Sequence, residues 1–543
     1  MPIVDPFGAH VVARLLDFFG VPTPWFRRLW CPGALLSLKE VIEASHAARA
    51  GILSEETFGS VVRSATALTG PDPGVGSNEA KRALQQALSS KKIVPDGLDY
   101  ETVRLGAEAT ETNYFQNWST SLTQAGHPGP ERTARSIASH LLDTGFSPNH
   151  LHRWCTFQAR NSQGANSLAE LVTRAHTLAT TPPKEFNVIT PFEGIPQSKS
   201  GPPRNWMSAN DVVVWLKSKG INPSGLIQNG ALLFRLLARD PWAAIQSAVD
   251  TVDQLSSRVS LGTDGTLKPI GIAWVEWVEG TQNITKPFRF QRDSRRVEVH
   301  KLRREDKLYV VEPTSIVDAA LEMVGALNSG PRSTAIGTGW AAIEALLSGP
   351  GDQDVLAGQR LAGIVACSFA RAELTELSFK VQQSGHALAA TLEQCESNRD
   401  RALIIANAIG TGVALNLGNP SDVAAVERMR TLLANPHAAI RDIHSHISAA
   451  LVRMYKNRNL VLHWGKTDAV GLQSSLRCVA PLVGAGIDRI AHAWFVRKIR
   501  PMELAARARY ALETVGSPTG PHVVDLLSQG TKTAATPPAT PDQ

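Results

Sequence analysis

Apolar residues recur at three- and four-residue spacing through the first third of this chain, lose that period near Thr181, and take it up again from Ser315 to about Val515. A stripe at that spacing lines one face of a helix and must be buried against other helices, so the two outer stretches are expected to fold as helical layers. In the first, LLSLKEVIEASHAARAG runs to Gly51 as a helix stop. SNEAKRALQQALSSKK starts at Ser77, a residue type that caps helices, with Glu79 in the first turn. ERTARSIASHLLDTGFS and SLAELVTRAHTLA continue the pattern, with no fixed repeat to support a solenoid. PDPGVGSNEAKR lacks the GK[ST] ending of a phosphate loop and reads as a turn before a helix.

Between these layers the character changes. TPPKEFNVITPFEGIPQSKSGPPRN, from Thr181, is rich in Pro, Gly and Ser and reads as a linker. SANDVVVWLKSKG then predicts a capped helix ending at Gly220. ALLFRLLA, DPWAAIQSAVDTVDQL, IGIAWVEWVE, RRVEVHKL and KLYVVE predict a strand, a helix and three further strands. The expected fold is mainly α with a small α+β middle domain and a C-terminal helical bundle. In residues this means a helical region over 1–182, a linker over 183–204, the α+β domain over 205–313, the bundle over 314–515 and a mostly disordered tail over 516–543.

At 543 residues the chain exceeds what one core can organise, which fits several domains. Its five cysteines lie far apart, without a CxxC pair, which argues against a disulfide framework or structural metal and fits a reducing cytoplasm. MPIVDPFGAHVVARLLDFFG lacks the basic start and long apolar core of a secretory leader, and no uncharged apolar run reaches membrane-spanning length. A cytoplasmic chain with no membrane contact and no cofactor is the expectation. Charge is uneven: from Ala439 to Tyr510 twelve Lys/Arg face four Asp/Glu, an excess that attracts phosphates. A second basic stretch, KPFRFQRDSRRVEVHKLRREDK, starts at Lys286; either is equally compatible with an ordinary solvated surface.

The segment with chemistry in it is RMYKNRNLVLHWGK. Ile447, Leu451, Met454 and Tyr455 share a helical face that leads to Arg458, and Gly465 is a C-terminal stop, so His463 sits at the last turn. Five residues apart, Arg458 and His463 lie about 140° apart on an ideal helix. A single helix does not readily aim both at one point. A loosened helix end, or two copies meeting across a dimer, would bring them together. Leu451, Met454, Val461 and Leu462 are candidates for the dimer contact.

Arg-Asn-Leu-Val-Leu-His resembles the R-x(4–6)-H motif of HEPN ribonucleases, and GTGWAAIEALLSG resembles the early helix of the Apea-like branch of that superfamily. The resemblance covers roughly Thr334 to Phe495. It implies metal-independent RNA cleavage, with the 2′-hydroxyl attacking the adjacent phosphate to leave a 2′,3′-cyclic phosphate and a 5′-hydroxyl. Arg458 suits charge stabilisation at phosphorus, because a guanidinium is always charged and binds phosphate by two parallel hydrogen bonds. His463 suits proton transfer near neutrality, and Asn459 suits orienting a neighbour without titrating. Glu344 matches the acid of the family's early helix. Arg453, Lys456 and Lys466 are candidate RNA-phosphate contacts. Architectures of this kind imply a regulated toxin or antiphage abortive-infection effector, a homodimer through the bundle, with the N-terminal regions answering a phage-derived or regulatory trigger. The rival reading is a non-catalytic dimerisation or nucleotide-binding module. His444 and His446, two apart, fall on opposite sides of a helix and do not form a metal pair. Trp274 and Trp277 are able to stack on bases, though a strand-like run more often places such residues in the core or on the sheet surface.

Overall fold

The computed structural model describes residues 3, 5–90, 92–124, 126–196, 201–263, 266–291, 295–353 and 355–528. It is mainly helical, with twenty α-helices and one five-stranded sheet among the described residues. Two compact units are present, each drawn from separate stretches. The first comprises Met1–Glu298, Ala319–Ala342 and Val452–Gly484; the second comprises Val299–Asp318, Ile343–Leu451 and Ala485–Gln543. The stretch read as one bundle over 314–515 is therefore shared between them. No helix among the described residues is long and apolar enough to cross a membrane.

In the first unit, helices Pro6–Phe19, Leu98–Leu122, Pro130–Asp143, Pro148–Arg160 and Leu168–Thr180 enclose a core around Leu15, Phe19, Phe115, Trp118, Ile137, Leu141 and Leu171. Burying a side chain of this size contributes about 1.5–3 kcal/mol. Local signals set the helix ends: Asp5 accepts from the Gly8 N–H at 2.6 Å, and the Ser77 side chain accepts from Ala80. The PDPG turn is tied down by buried Asp72, which accepts from Tyr114 Oη at 2.8 Å and Trp118 Nε1 at 3.0 Å. Gly74 is required there, because a Cβ would lie 2.3 Å from the Tyr114 ring.

The sheet runs in the order β2-β3-β1-β4-β5, all antiparallel, with β1 Lys184–Phe192, β2 Trp206–Ser208, β3 Gly230–Ala238, β4 Ile272–Glu279 and β5 Gln282–Arg289. Val188 of β1 pairs with Phe234 and Val275. On one face these strands meet helix Pro241–Gly262 through Ile245, Ala248 and Val249; on the other, Ile189 and Trp274 meet Val212 and Leu216 of helix Ala209–Ser218. That second helix starts with a full Ser208–Asp211 capping box, as its sequence predicts.

Three expectations are corrected. Residues 184–192, read as linker, form the central strand: Phe186, Val188 and Phe192 alternate onto the core face despite the flanking prolines. RRVEVHKL and KLYVVE are not strands. Part of the first is helix His300–Arg304, and Leu308, Tyr309, Val310 and Val311 are exposed without strand pairing; an apolar run extends into a sheet only where a neighbour accepts its hydrogen bonds. The start of the tail is packed, since Val523, Val524 and Leu526 are buried and Asp525 takes a two-pronged ion pair from Arg399 at 2.6 Å. The rest of the expected disordered tail, 529–543, lies outside the described residues.

The second unit is organised on helix Leu356–Gln383, which packs against Asn398–Gly410, Pro420–Ala434 and Pro501–Thr514. Inside it, Glu373 is fully buried and receives Arg428 Nη2 at 2.9 Å.

Candidate active site

The motif lies at the C-terminal end of helix Pro436–Trp464. Leu451, Met454 and Leu460 are fully buried, and Tyr455 packs on Trp340 with ring centroids 5.1 Å apart. This corrects the expected dimer surface. Of Leu451, Met454, Val461 and Leu462, only Leu462 is exposed, at 54%; the chain's own core uses the other three.

Arg453 and Lys456 face helix Ala34–Arg49. There Glu40 is buried and divides its carboxylate between them: Oε2 accepts from Arg453 Nε at 2.8 Å and Oε1 from Lys456 Nζ at 2.7 Å. Lys456 is wholly buried and Arg453 nearly so. Both were candidate RNA contacts, and that expectation is corrected: neither reaches the surface, and each is neutralised by a carboxylate more than four hundred residues away in sequence. Burial alone would raise the Glu40 carboxyl, but Arg453 and Lys456 outweigh it and hold the group below the usual carboxylate range. One turn along, Glu43 is further from Lys456, at 4.0 Å, and burial prevails, pushing its carboxyl up. Gly471 closes this site, because a Cβ there would lie 2.0 Å from Glu40 Oε1.

Beyond this buried cluster the helix stays intact to Trp464. Arg458 is half-buried and His463 exposed. Arg458 Nη1 donates to Asn459 Oδ1 at 2.9 Å and lies 2.9 Å from His463 Nε2. The 140° divergence is therefore overcome within one chain: the arginine side chain is long enough to lie along the helix surface and reach the imidazole. For that contact to be a hydrogen bond, Nε2 must be the unprotonated ring nitrogen. No carboxylate among the described residues lies within ion-pair reach of Arg458, and the other guanidinium donors have no partner there. The arrangement is a charged fork with donors to spare, steadied by an amide oxygen, with a titratable imidazole on the same nitrogen.

Lys466 is the one expected phosphate contact with a surface position. Its Nζ is 3.8 Å from Glu43 and 3.6 Å from Asp468, and lies 5.7 Å from the Trp464 ring centre. With Trp464, Lys39, Ile42 and His46 it lines an open pocket of about 380 Å³ beside the motif. Glu344 is half-buried on helix Arg332–Leu347 and belongs to the second unit. Among the described residues no group of three or more His, Cys, Asp or Glu is placed to hold a metal ion.

Sequence reasoning missed Glu40 and Glu43. Their signal was present in LLSLKEVIEA, where two acids three residues apart interrupt the apolar stripe of a helix. Compared with protein-family models, with curated proteins and with solved structures, the chain finds no match.

Proposed function

We propose that the chain is a metal-independent endoribonuclease of the HEPN type, with its active site at Arg458, Asn459 and His463 and complete within one chain. The observation that supports this best is the 2.9 Å approach of an arginine without a carboxylate partner to an exposed histidine at the predicted motif. A phosphodiester bound by the free donors of Arg458 would draw the guanidinium toward its non-bridging oxygens and release His463 Nε2. That nitrogen takes the proton of the 2′-hydroxyl as its oxygen attacks phosphorus. The bond to the 5′ oxygen breaks, the proton passes to that oxygen directly or through water, and a 2′,3′-cyclic phosphate and a 5′-hydroxyl result. Asn459 holds Arg458 in place. The resemblance extends the proposal to a regulated toxin or abortive-infection effector acting in the cytoplasm, with RNA as its partner. A homodimer remains compatible with it, although the site does not need a second chain.

The test is incubation of wild-type, Arg458→Ala and His463→Ala protein with total RNA and transfer RNA in a chelator, followed by end analysis. Cyclic-phosphate ends from wild type alone are expected. Equal cleavage by either variant removes the motif from the mechanism, and inactivity of all three leaves the non-catalytic module as the better reading.

A further inference from the structure

A cavity of about 620 Å³ in the first unit lies between helix Pro148–Arg160, the start of helix Pro241–Gly262 and strands β1, β4 and β5. Five cations line it: Arg153, Lys184, Arg239, Lys286 and Arg289. Two carboxylates also line it, Asp240 and Glu279, leaving a net excess of three positive charges. Asp240 is already committed as a helix cap, accepting from the Ser147 N–H and Oγ at 2.7 Å each and from Ala243 N–H at 3.0 Å. Arg239 is occupied by the carbonyls of Thr144 and Thr181. Arg153, Lys184, Lys286 and Arg289 have no carboxylate among the described residues within ion-pair reach. Like charges gathered at one cavity repel one another, and a bound polyanion relieves that repulsion.

Two further observations narrow the ligand. The cavity holds the N-terminal ends of two helices, of thirteen and twenty-two residues, whose partial positive charges add to the same field. The remaining wall is aromatic. Arg153 lies over the Trp242 ring at 4.6 Å, and Trp242 meets Phe288 edge-on at 5.1 Å. Trp277, half-buried against Phe186 at 6.0 Å, lines it too. A bare phosphate needs the cations but not the rings. A ligand with a flat aromatic group attached to phosphates uses both, and the volume is that of a small-molecule site.

We infer that this cavity binds a nucleoside polyphosphate, with Lys184, Lys286 and Arg289 on the phosphates and Trp277 against the base. The inference is independent of the ribonuclease reading and stands or falls on binding alone.

The test is calorimetric titration of the full chain with each of the four ribonucleoside triphosphates, with pyrophosphate, with adenosine and with a short single-stranded RNA. At least one triphosphate is expected to bind saturably, one per chain. It should bind about tenfold tighter than pyrophosphate, the fold-change that stacking of one base supplies, and adenosine should not bind detectably. The exposed double substitution Lys286→Glu/Arg289→Glu should weaken the triphosphate by about tenfold or more, since each reversed charge removes a charge-assisted contact. Trp277→Leu should weaken the triphosphate and leave pyrophosphate unchanged. The inference is overturned if no triphosphate saturates the chain, or if the double variant with a native circular dichroism spectrum binds as well as wild type. Tighter binding of the RNA than of any triphosphate overturns it too, by making the cavity part of an RNA groove.

Discussion

Replacing Glu40 by glutamine would leave Arg453 and Lys456 in the interior without their shared counter-charge. The two bonds at 2.8 and 2.7 Å are both to charged groups, and such bonds contribute about 1.5–3 kcal/mol each. Deleting one partner of a buried pair costs about 3–5 kcal/mol, because the remaining charge has no water to turn to. Glutamine retains one acceptor oxygen, so Glu40→Gln should fall near the low end, about 3 kcal/mol. Glu43→Gln is the internal control. Glu43 is held above the usual range by burial and stands 4.0 Å from Lys456, where Glu40 makes two close bonds, so its loss should cost less. Urea unfolding followed by tryptophan fluorescence, with hydrogen exchange over 452–464, measures both. The pH dependence has a definite sign. Glu40 is held below its ordinary range in the fold, so its contribution is complete above the unfolded-state carboxylate pKa and is lost as pH falls through the folded value. Wild-type and Glu40→Gln stabilities should therefore converge in acid. A cost for Glu40→Gln under about 1 kcal/mol, or one equal to that of Glu43→Gln, would refute the buried-pair argument.

Mixing Arg458→Ala with His463→Ala protein should restore no cleavage, because both residues of a site come from one chain; recovery of activity would show that sites are shared between copies. Gly471→Ala should destabilise the fold by about 1–3 kcal/mol, since its Cβ would lie 2.0 Å from Glu40 Oε1; an unchanged melting temperature would mean that the carboxylate moves aside freely. His140 is stacked on Tyr114 at 3.8 Å, and burial lowers its pKa from 6.5 to about 3. Between those values the unfolded chain binds a proton that the folded one refuses, so stability falls with acidity by about 1.4 kcal/mol per pH unit. His140→Phe should remove that slope in denaturant titrations, and an unchanged slope would assign acid sensitivity elsewhere.

What the sequence determined by itself was whatever depends on near neighbours in the chain. Apolar spacing located the helices, Ser77, Ser208 and Gly220 marked helix ends, and Arg458, Asn459 and His463 stood out as a charged, polar and titratable set at a helix terminus. These features follow from local hydrogen bonding and side-chain periodicity, which operate over a few residues. Tertiary structure decided which polar groups are buried and which strands find partners. Arg453 and Lys456 look like surface cations in their own helix; only the arrival of Glu40, 413 and 416 residues away, takes them inside. Residues 184–192 look like a linker until β3 and β4 pair with both their edges, while the apolar run from Leu308 to Val311 has no such partner and stays exposed. The meeting of Arg458 with His463 was likewise hidden, because ideal helix geometry places backbones and says nothing of how far a long side chain reaches once its neighbours are packed. Burial is a property of the whole fold, so a charge's partner, and with it the charge's function, is settled only when distant segments meet.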